Sequence, residues 1–330
     1  RQFITKKLKN GASIDCKIKE VLVVSGSLQA LDLVNQTLLK KGDTVIIEEE
    51  NYGGTITRLN RLGVNMVGVP LEHDGMNIEA LKDILEDLER KKIKPRYIYT
   101  IPTIQNPTGT IMSLEKRKSL LALSNQYGIP IFEDDCYADL IWGGERPPAI
   151  KSLDTGGSVI YCGSFSKSIA PALRVGYLVA SWEILSRLLP YKTDAGSGSL
   201  EQMALAEYCD KNFNEHVKFL SGELKEKSNT ICNALDKYFG SAAEYVKPIG
   251  GIFIWISMPD CVDTSRLYNL ALKDGVAINP GVEWSINLSG KNKMRLCFGN
   301  PSKHEIDEGV KILAEICKKE FGVPTQIANL

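Results

Sequence analysis

The sequence predicts an α/β protein: a mostly parallel sheet with helices on both faces in residues 1–205, followed by a smaller α+β unit in residues 206–330. Two observations predict the first unit. Between Val21 and Ala180, short β-branched runs alternate with amphipathic helical ones, and strands separated by helices at this spacing form a parallel sheet. Capping residues also punctuate the helical runs where that reading needs them. The third observation predicts the second unit: after LLPYKTDAGSGS the strands become few and helix dominates.

Taken in order, RQFITKKLKNG reads as a helix entered part-way, and the chain opens on Arg1 rather than methionine, so a fragment boundary is expected there. VLVVSG is a strand ending at Val24, followed by a helix, LQALDLVNQTLLKKGD, that starts near Leu28. TVIIEE leads to the helix NYGGTITRLNRLG, and VNMVGVPL to NIEALKDILEDLERKK. RYIYTIP, the helix SLEKRKSLLALSNQYG, the strand IPIFEDD and the pair VIYCGSF and RVGYLVAS complete the unit. Gly42, Gly63 and Gly128 are expected to close helices in the left-handed conformation, and Ser113 to cap the helix after it. Beyond the loop come a helix from about Leu200 to Tyr238, the strand GGIFIWISMP, a helix near Asp263–Asp274, the short runs VAINPG and KMRLCFG, and a last helix from Ser302.

Bulk properties exclude several function classes. The 40 basic and 40 acidic residues balance, with a pI near 7.0, which argues against nucleic acid or an anionic membrane surface as partner. No apolar run approaches the roughly 20 residues that cross a bilayer. The eight cysteines are scattered without a CxxC pair, so reduced thiols and a cytoplasmic location are expected. His73, His216 and His304 lie far apart in polar surroundings, and no metal site is expected.

Ligands of open α/β sheets bind at the carboxyl ends of strands, and the chemistry-bearing residues fall there. GSFSKSIAPALRVGY places Lys167 after Ser164 and Ser166 and shortly before Arg174. An amine so flanked suits imine formation with a phosphate-bearing aldehyde, the arginine matching phosphate through its fork; most lysines, however, are solvated surface charges. In SGSLQALDL, the Gly26–Ser27–Leu28 turn before a helix offers N–H groups and hydroxyls to an anion, although Ser27 could simply cap the helix. Tyr52, before two glycines, can stack on a flat heterocycle or sit half-buried at a helix start. Asn106, in IQNPTGT, can donate to a phenolic oxygen or a carboxylate, while Asn-Pro is also an ordinary turn. Glu133, Asp134 and Asp135 follow a buried-looking strand, costly for charge unless it is paired. Asp134 facing a pyridine nitrogen would be paired, with Tyr137 near enough to reach a ring hydroxyl; the competing reading is a solvated acidic turn. Arg295, alternating with apolar neighbours in KMRLCFG, is the natural bidentate partner of a substrate carboxylate.

In this order, NPTG, EDDxY and SFSK…LRVGY resemble the fold-type I pyridoxal-phosphate enzymes of the class I/II aminotransferase family. The resemblance is strongest to the subgroup of 2-aminoadipate and kynurenine aminotransferases and the aminotransferase-like domains of MocR-type regulators, and it covers nearly the whole chain. It implies a seven-stranded large domain with pyridoxal 5'-phosphate as cofactor. It also implies amino-group transfer from an L-amino acid to a 2-oxo acid by a ping-pong route through a Lys167 aldimine. Asp134 would then pair with the pyridinium nitrogen. Tyr137 and Asn106 would hold the ring hydroxyl, and Tyr52 would stack on the ring. Gly26, Ser27, Leu28, Ser164, Ser166 and Arg174 would hold the phosphate, and Arg295, helped by Asn106, the substrate carboxylate. A homodimer is implied. A carbon–sulfur (β-elimination) lyase and an effector-sensing domain of a MocR-type regulator are the alternatives. Leu28 replaces a common glutamine and Cys136 a usual proline, and family members carry a further N-terminal arm over the substrate site.

Overall fold

The computed structural model describes residues 1–324. Helix α1 (Gln2–Ala12) precedes β1 (Val21–Val24), α2 (Ser27–Leu38), β2 (Thr44–Glu48), α3 (Gly53–Leu62) and β3 (Asn65–Val69). A small hairpin of β4 (Leu71–Glu72) and β5 (Gly75–Met76) leads to α4 (Ile78–Arg90), β6 (Ile98–Thr100), α5 (Leu114–Tyr127), β7 (Ile131–Asp134) and α6 (Ile150–Leu153). Then come β8 (Val159–Ser164), β9 (Gly176–Val179), α7 (Trp182–Leu188) and the 40-residue helix α8 (Ser199–Tyr238). The remainder is β10 (Glu244–Tyr245), β11 (Phe253–Ser257), α9 (Thr264–Ala271), β12 (Asn279–Pro280), β13 (Lys293–Cys297) and α10 (Lys303–Phe321).

The main sheet has seven strands in the order β1-β9-β8-β7-β6-β2-β3. The pairs from β8 across to β3 are parallel, and β9 runs antiparallel to both of its neighbours. Strands β1, β2, β6 and β8 are buried along their whole length, as expected where helices cover both faces. Side chains alternate between those faces. Val45, Ile47, Tyr99 and Phe132 pack under Leu31 and Val34 of α2 and Leu59 of α3, whereas Ile46, Ile98 and Ile131 pack under Leu81, Leu85 and Leu120 of α4 and α5. Each such aliphatic side chain taken from water contributes about 1.5–3 kcal/mol, so both helical layers are secured by apolar burial.

Gly63 and Gly128 close α3 and α5 with φ of 67° and 60°, and Ser113 accepts the Lys116 N–H at the start of α5. The expectation for Gly42 fails. Helix α2 ends at Leu38, Leu39 is extended, and Gly42 (φ 87°) lies in a later turn. The Asp43 carboxylate accepts the Lys40 N–H there, so a side-chain-supported turn displaces the last predicted helical residues.

A second sheet of four strands, β10-β11-β13-β12, shares an apolar core with α8, α9 and α10. Ser302 caps α10 with a reciprocal capping box through Glu305, and Asp263 caps α9. Helix α8 runs unbroken across positions 205 and 206. Its Leu205, Cys209 and Phe213 pack with α1 against the large sheet, and its Leu224, Ile231, Cys232 and Leu235 belong to the second core. Among the described residues no helix is long and apolar enough to cross a membrane.

Candidate functional site

Strands β1, β2, β6, β7 and β8 end at one edge of the large sheet, and the antiparallel β9 begins there. Residues spread from Gly26 to Arg174 are therefore delivered to one place, together with Arg295 from the second sheet. A cavity of about 350 Å³ opens at this edge. Its lining includes Ser27, Leu28, Tyr52, Asn106, Asp134, Tyr137, Ser164, Ser166, Lys167, Arg174 and Arg295. Gly26 stands just behind the lining, where an added Cβ would overlap the Arg174 guanidinium.

The three consecutive acids separate by strand alternation. Glu133 is fully buried and accepts the Ile150 and Lys151 N–H groups, both at 2.8 Å, with Arg117 3.8 Å away. Asp135 is paired with Arg146 and accepts from the Tyr161 hydroxyl at 3.0 Å. Asp134 faces the cavity. Its Oδ2 accepts the Tyr99 hydroxyl at 2.6 Å, while its buried Oδ1 has no hydrogen-bond partner. Burial pushes its pKa up, opposed by the Cys136 thiol and by the bond from Tyr99. A solvated acidic turn is ruled out, because Glu133 and Asp135 are buried and paired and Asp134 is enclosed.

The anion cradle comes from two elements. Gly26 is the N-cap of α2 with φ 82°, Ser27 is the first helical residue, and no cap side chain accepts from the first turn. Capping by Ser27 is thereby excluded. The helix N-terminus carries free N–H groups and a partial positive charge of about half a unit. Opposite stands Arg174, held at φ 51°, a conformation that costs a non-glycine residue about 1 kcal/mol. Its guanidinium donates to the Pro171 and Ser25 carbonyls at 3.2 and 3.1 Å and to Ser166 Oγ at 3.4 Å. Ser164 Oγ accepts the Ser166 N–H at 3.1 Å, which fixes the turn before Lys167. The Lys167 ammonium lies 5.9 Å from the centroid of the Tyr137 ring.

Arg295 reaches the cavity from β13. It donates to Asn106 Oδ1 at 2.9 Å and Asn279 Oδ1 at 3.0 Å, its Nε is buried without a partner, and it lies 4.1 Å over the Trp284 ring. Among the described residues no carboxylate lies within ion-pair distance of it, and burial lowers its pKa. A desolvated guanidinium of this kind favours an incoming carboxylate. Asn106 also donates to the Tyr137 hydroxyl at 3.4 Å. It is delivered by Ile104, a β-branched residue at φ 55°. Side chains at Gly250 and Gly251 would collide with Ile104, so glycine at both positions makes room for this conformation. Trp284 lies 6.0 Å from the Tyr52 ring, and a side chain at Gly54 would overlap that ring.

Sequence reasoning missed Tyr99, Trp284, Asn279 and Glu48. Glu48, 1% exposed, accepts from Thr100, Ile101, Asn51 and Gln105, tying the loop that carries Tyr52 to the loop that carries Asn106. The strand parity of Tyr99 with Tyr97 in RYIYT was the available signal for the first of these; the others depend on partners remote in sequence. Cys136 and Cys162, also remote, place their sulfurs and an Asp134 oxygen within 4.8 Å of one another. The site has free helix N–H groups, three serine hydroxyls, the Arg174 guanidinium, an amine and a buried carboxylate oxygen without a partner. That set fits a phosphate-bearing pyridine aldehyde.

The family description "Aminotransferase class I and II" matches residues 1–313. The aromatic-amino-acid aminotransferase 1 of Thermococcus litoralis is 34% identical over 305 residues, 92% of this chain and 73% of that protein. The uncharacterized HTH-type transcriptional regulator YisV of Bacillus subtilis is 34% identical over 97% of this chain and 65% of its own length. Among solved structures, the kynurenine aminotransferase of Pyrococcus horikoshii, determined in complex with PMP, superposes with a TM-score of 0.92 at 34% identity, covering 97% of this chain and 80% of that one. The chain belongs to the class I and II aminotransferases, the fold-type I pyridoxal-phosphate enzymes.

Proposed function

We propose that the protein moves the amino group of an L-amino acid to a 2-oxo acid at this cavity, with pyridoxal 5'-phosphate as the cofactor. The observation that carries this reading is the half-buried Arg295 guanidinium, without a carboxylate partner among the described residues, in the same cavity as Lys167 and the free oxygen of Asp134. Bound there, pyridoxal phosphate supplies an aldehyde for amine exchange and a ring that accepts electrons. The α2 N-terminus with Ser27 and Leu28, and Ser164, Ser166 and Arg174, would hold the phosphate. Asp134 Oδ1 would hold a proton on the ring nitrogen, Tyr52 would cover the ring face, and Tyr137 and Asn106 would donate to the ring oxygen. Arg295 clamps the α-carboxylate of the amino acid and then of the oxo acid, so one site serves both halves of a ping-pong cycle. Lys167 Nζ removes the α-proton from the amino acid in the first half-reaction and delivers a proton to the α-carbon derived from the oxo acid in the second, a role worth on the order of 10²–10⁴ in rate.

Lys167→Ala should abolish turnover and the covalent attachment of cofactor that borohydride reduction fixes at this residue. Turnover at the parental rate in that variant would sink the assignment. A second reading, an effector-sensing domain, draws support from the identity with YisV over 97% of this chain. Half-reactions followed by cofactor absorbance, with single amino acids as donors, separate the two readings: release of an oxo acid favours the enzyme, and saturable binding without it favours the sensor. We further propose a homodimer, testable by sedimentation, a cytoplasmic location, and two units that meet inside α8 rather than at a linker.

A further inference from the structure

Asp134 differs from its neighbours in what holds it. Glu133 and Asp135 each face a guanidinium, whereas the hydrogen bond to Asp134 Oδ2 comes from a neutral phenol, Tyr99, at 2.6 Å. That phenol has little freedom. Its ring is fully buried in β6 and stacks on Phe132 at 5.5 Å and 11°, two residues before Asp134 on the same face. Its oxygen in turn accepts the hydroxyl of Thr55 at 3.2 Å. Thr55 is buried in α3, the helix whose N-cap is Tyr52.

We propose that Tyr99 is a positioning residue for Asp134: its hydroxyl, oriented by Thr55, fixes the carboxylate so that Oδ1 points to the ring nitrogen of the cofactor, and favours the ionised carboxylate without neutralising it. This rests on the function proposed above. A cationic partner on Oδ2 would weaken the pull of Asp134 on a ring proton, whereas a neutral donor orients the carboxylate and leaves its charge available. The proton stays on Tyr99, because burial and the adjacent carboxylate both raise the phenol pKa well above its ordinary value. The Thr55–Tyr99–Asp134 chain also joins the helix that begins at Tyr52 to the residue beneath the ring nitrogen, so the two ring contacts are set by one connected structure.

The test uses the full chain loaded with pyridoxal 5'-phosphate labelled with ¹⁵N in the ring. Tyr99→Phe removes one oxygen and keeps the stack on Phe132. The expected result is a ring-nitrogen resonance moved toward that of neutral pyridine and a cofactor dissociation constant raised about tenfold, the loss expected for one hydrogen bond to a charged group. Thr55→Val should move both quantities in the same direction by less, and it carries the test if Tyr99→Phe does not fold. A purely structural role for Tyr99 could alter cofactor affinity but would leave the nitrogen resonance in place, and that outcome overturns the proposal. Absence of borohydride-trapped cofactor on Lys167 in the unsubstituted chain would overturn the proposed function itself. A trapped cofactor with unmoved resonances in both variants overturns this inference alone.

Discussion

Glu48 is a carboxyl taken out of water and Arg295 a half-buried guanidinium, and each makes a prediction at the residue scale. Burial pushes Glu48 up to about 7, against the four groups that donate to it. The folded protein keeps that proton to about 7, whereas the unfolded chain releases it near the ordinary 4.5. Between those values the folded state binds more protons, so stability falls as pH rises through the window and the loss is complete above it. Glu133, pushed up by burial to about 7 as well, adds a slope of the same sign. Glu48→Gln removes Glu48's share, so urea midpoints at about pH 5 and about pH 8 should lie closer together than in the parent. An undiminished gap would mean that Glu48 stays ionised throughout. Arg295→Lys should raise KM for both substrates about 10- to 100-fold, because an ammonium cannot replace a fork that spans Asn106 and Asn279 while standing over the Trp284 ring. Cofactor affinity should be unchanged. Lys167, Asp134 and Arg295 were legible because their neighbours in sequence announce them. Glu48, Tyr99 and Trp284 were not, because their meaning lies in partners from other strands: Glu48 is one acid in EEEN until Thr100 and Gln105 arrive from β6 and the loop after it.

At the scale of elements, alternating strands and helices were readable because the central strands are buried runs rich in apolar residues and helices such as α3 and α4 carry one apolar stripe. The reversal of β9 was not, since strand direction depends on the length and path of the connection rather than on the strand's own residues. That reversal matters chemically. It starts β9 at the edge where β1 ends, and Gly176 fits between them with an imagined Cβ only 3.0 Å from Gly26, so Arg174 is brought over the N-terminus of α2. Gly26 makes this approach possible twice over, through its φ of 82° and through the space its missing side chain leaves for the guanidinium. Gly26→Ala should therefore displace Arg174 and weaken pyridoxal-phosphate binding by at least about tenfold, the strained backbone costing on the order of 1 kcal/mol in addition. Titration by cofactor fluorescence measures it, and binding at parental strength would show that the guanidinium is not part of the phosphate site.

At the scale of the whole molecule, the candidate site is assembled from unequal contributions. Each proposed contact to cofactor comes from the large sheet and its connections, whereas the substrate clamp, Arg295, comes from β13 of the second sheet. The two meet at Arg295–Asn106, at the Lys293–Glu50 pair and where Trp284 approaches Tyr52. Helix α8 spans both cores, with Phe213 seated in one and Leu224 in the other. This division of labour could not be read from residues 200–238, whose helical pattern is continuous although its burial partners change part-way along. It has a kinetic consequence. Lys218 is exposed on α8 between the two anchored stretches, so Lys218→Gly removes no buried contact but weakens the helix by about 1 kcal/mol. If α8 holds the second sheet at its working distance, KM for the amino acid should rise while the cofactor dissociation constant stays at its parental value, because only the clamp is loosened. Equal losses in both would mean that the two sheets respond as one rigid unit and that their relative placement is fixed by the contacts around Arg295 rather than by the helix.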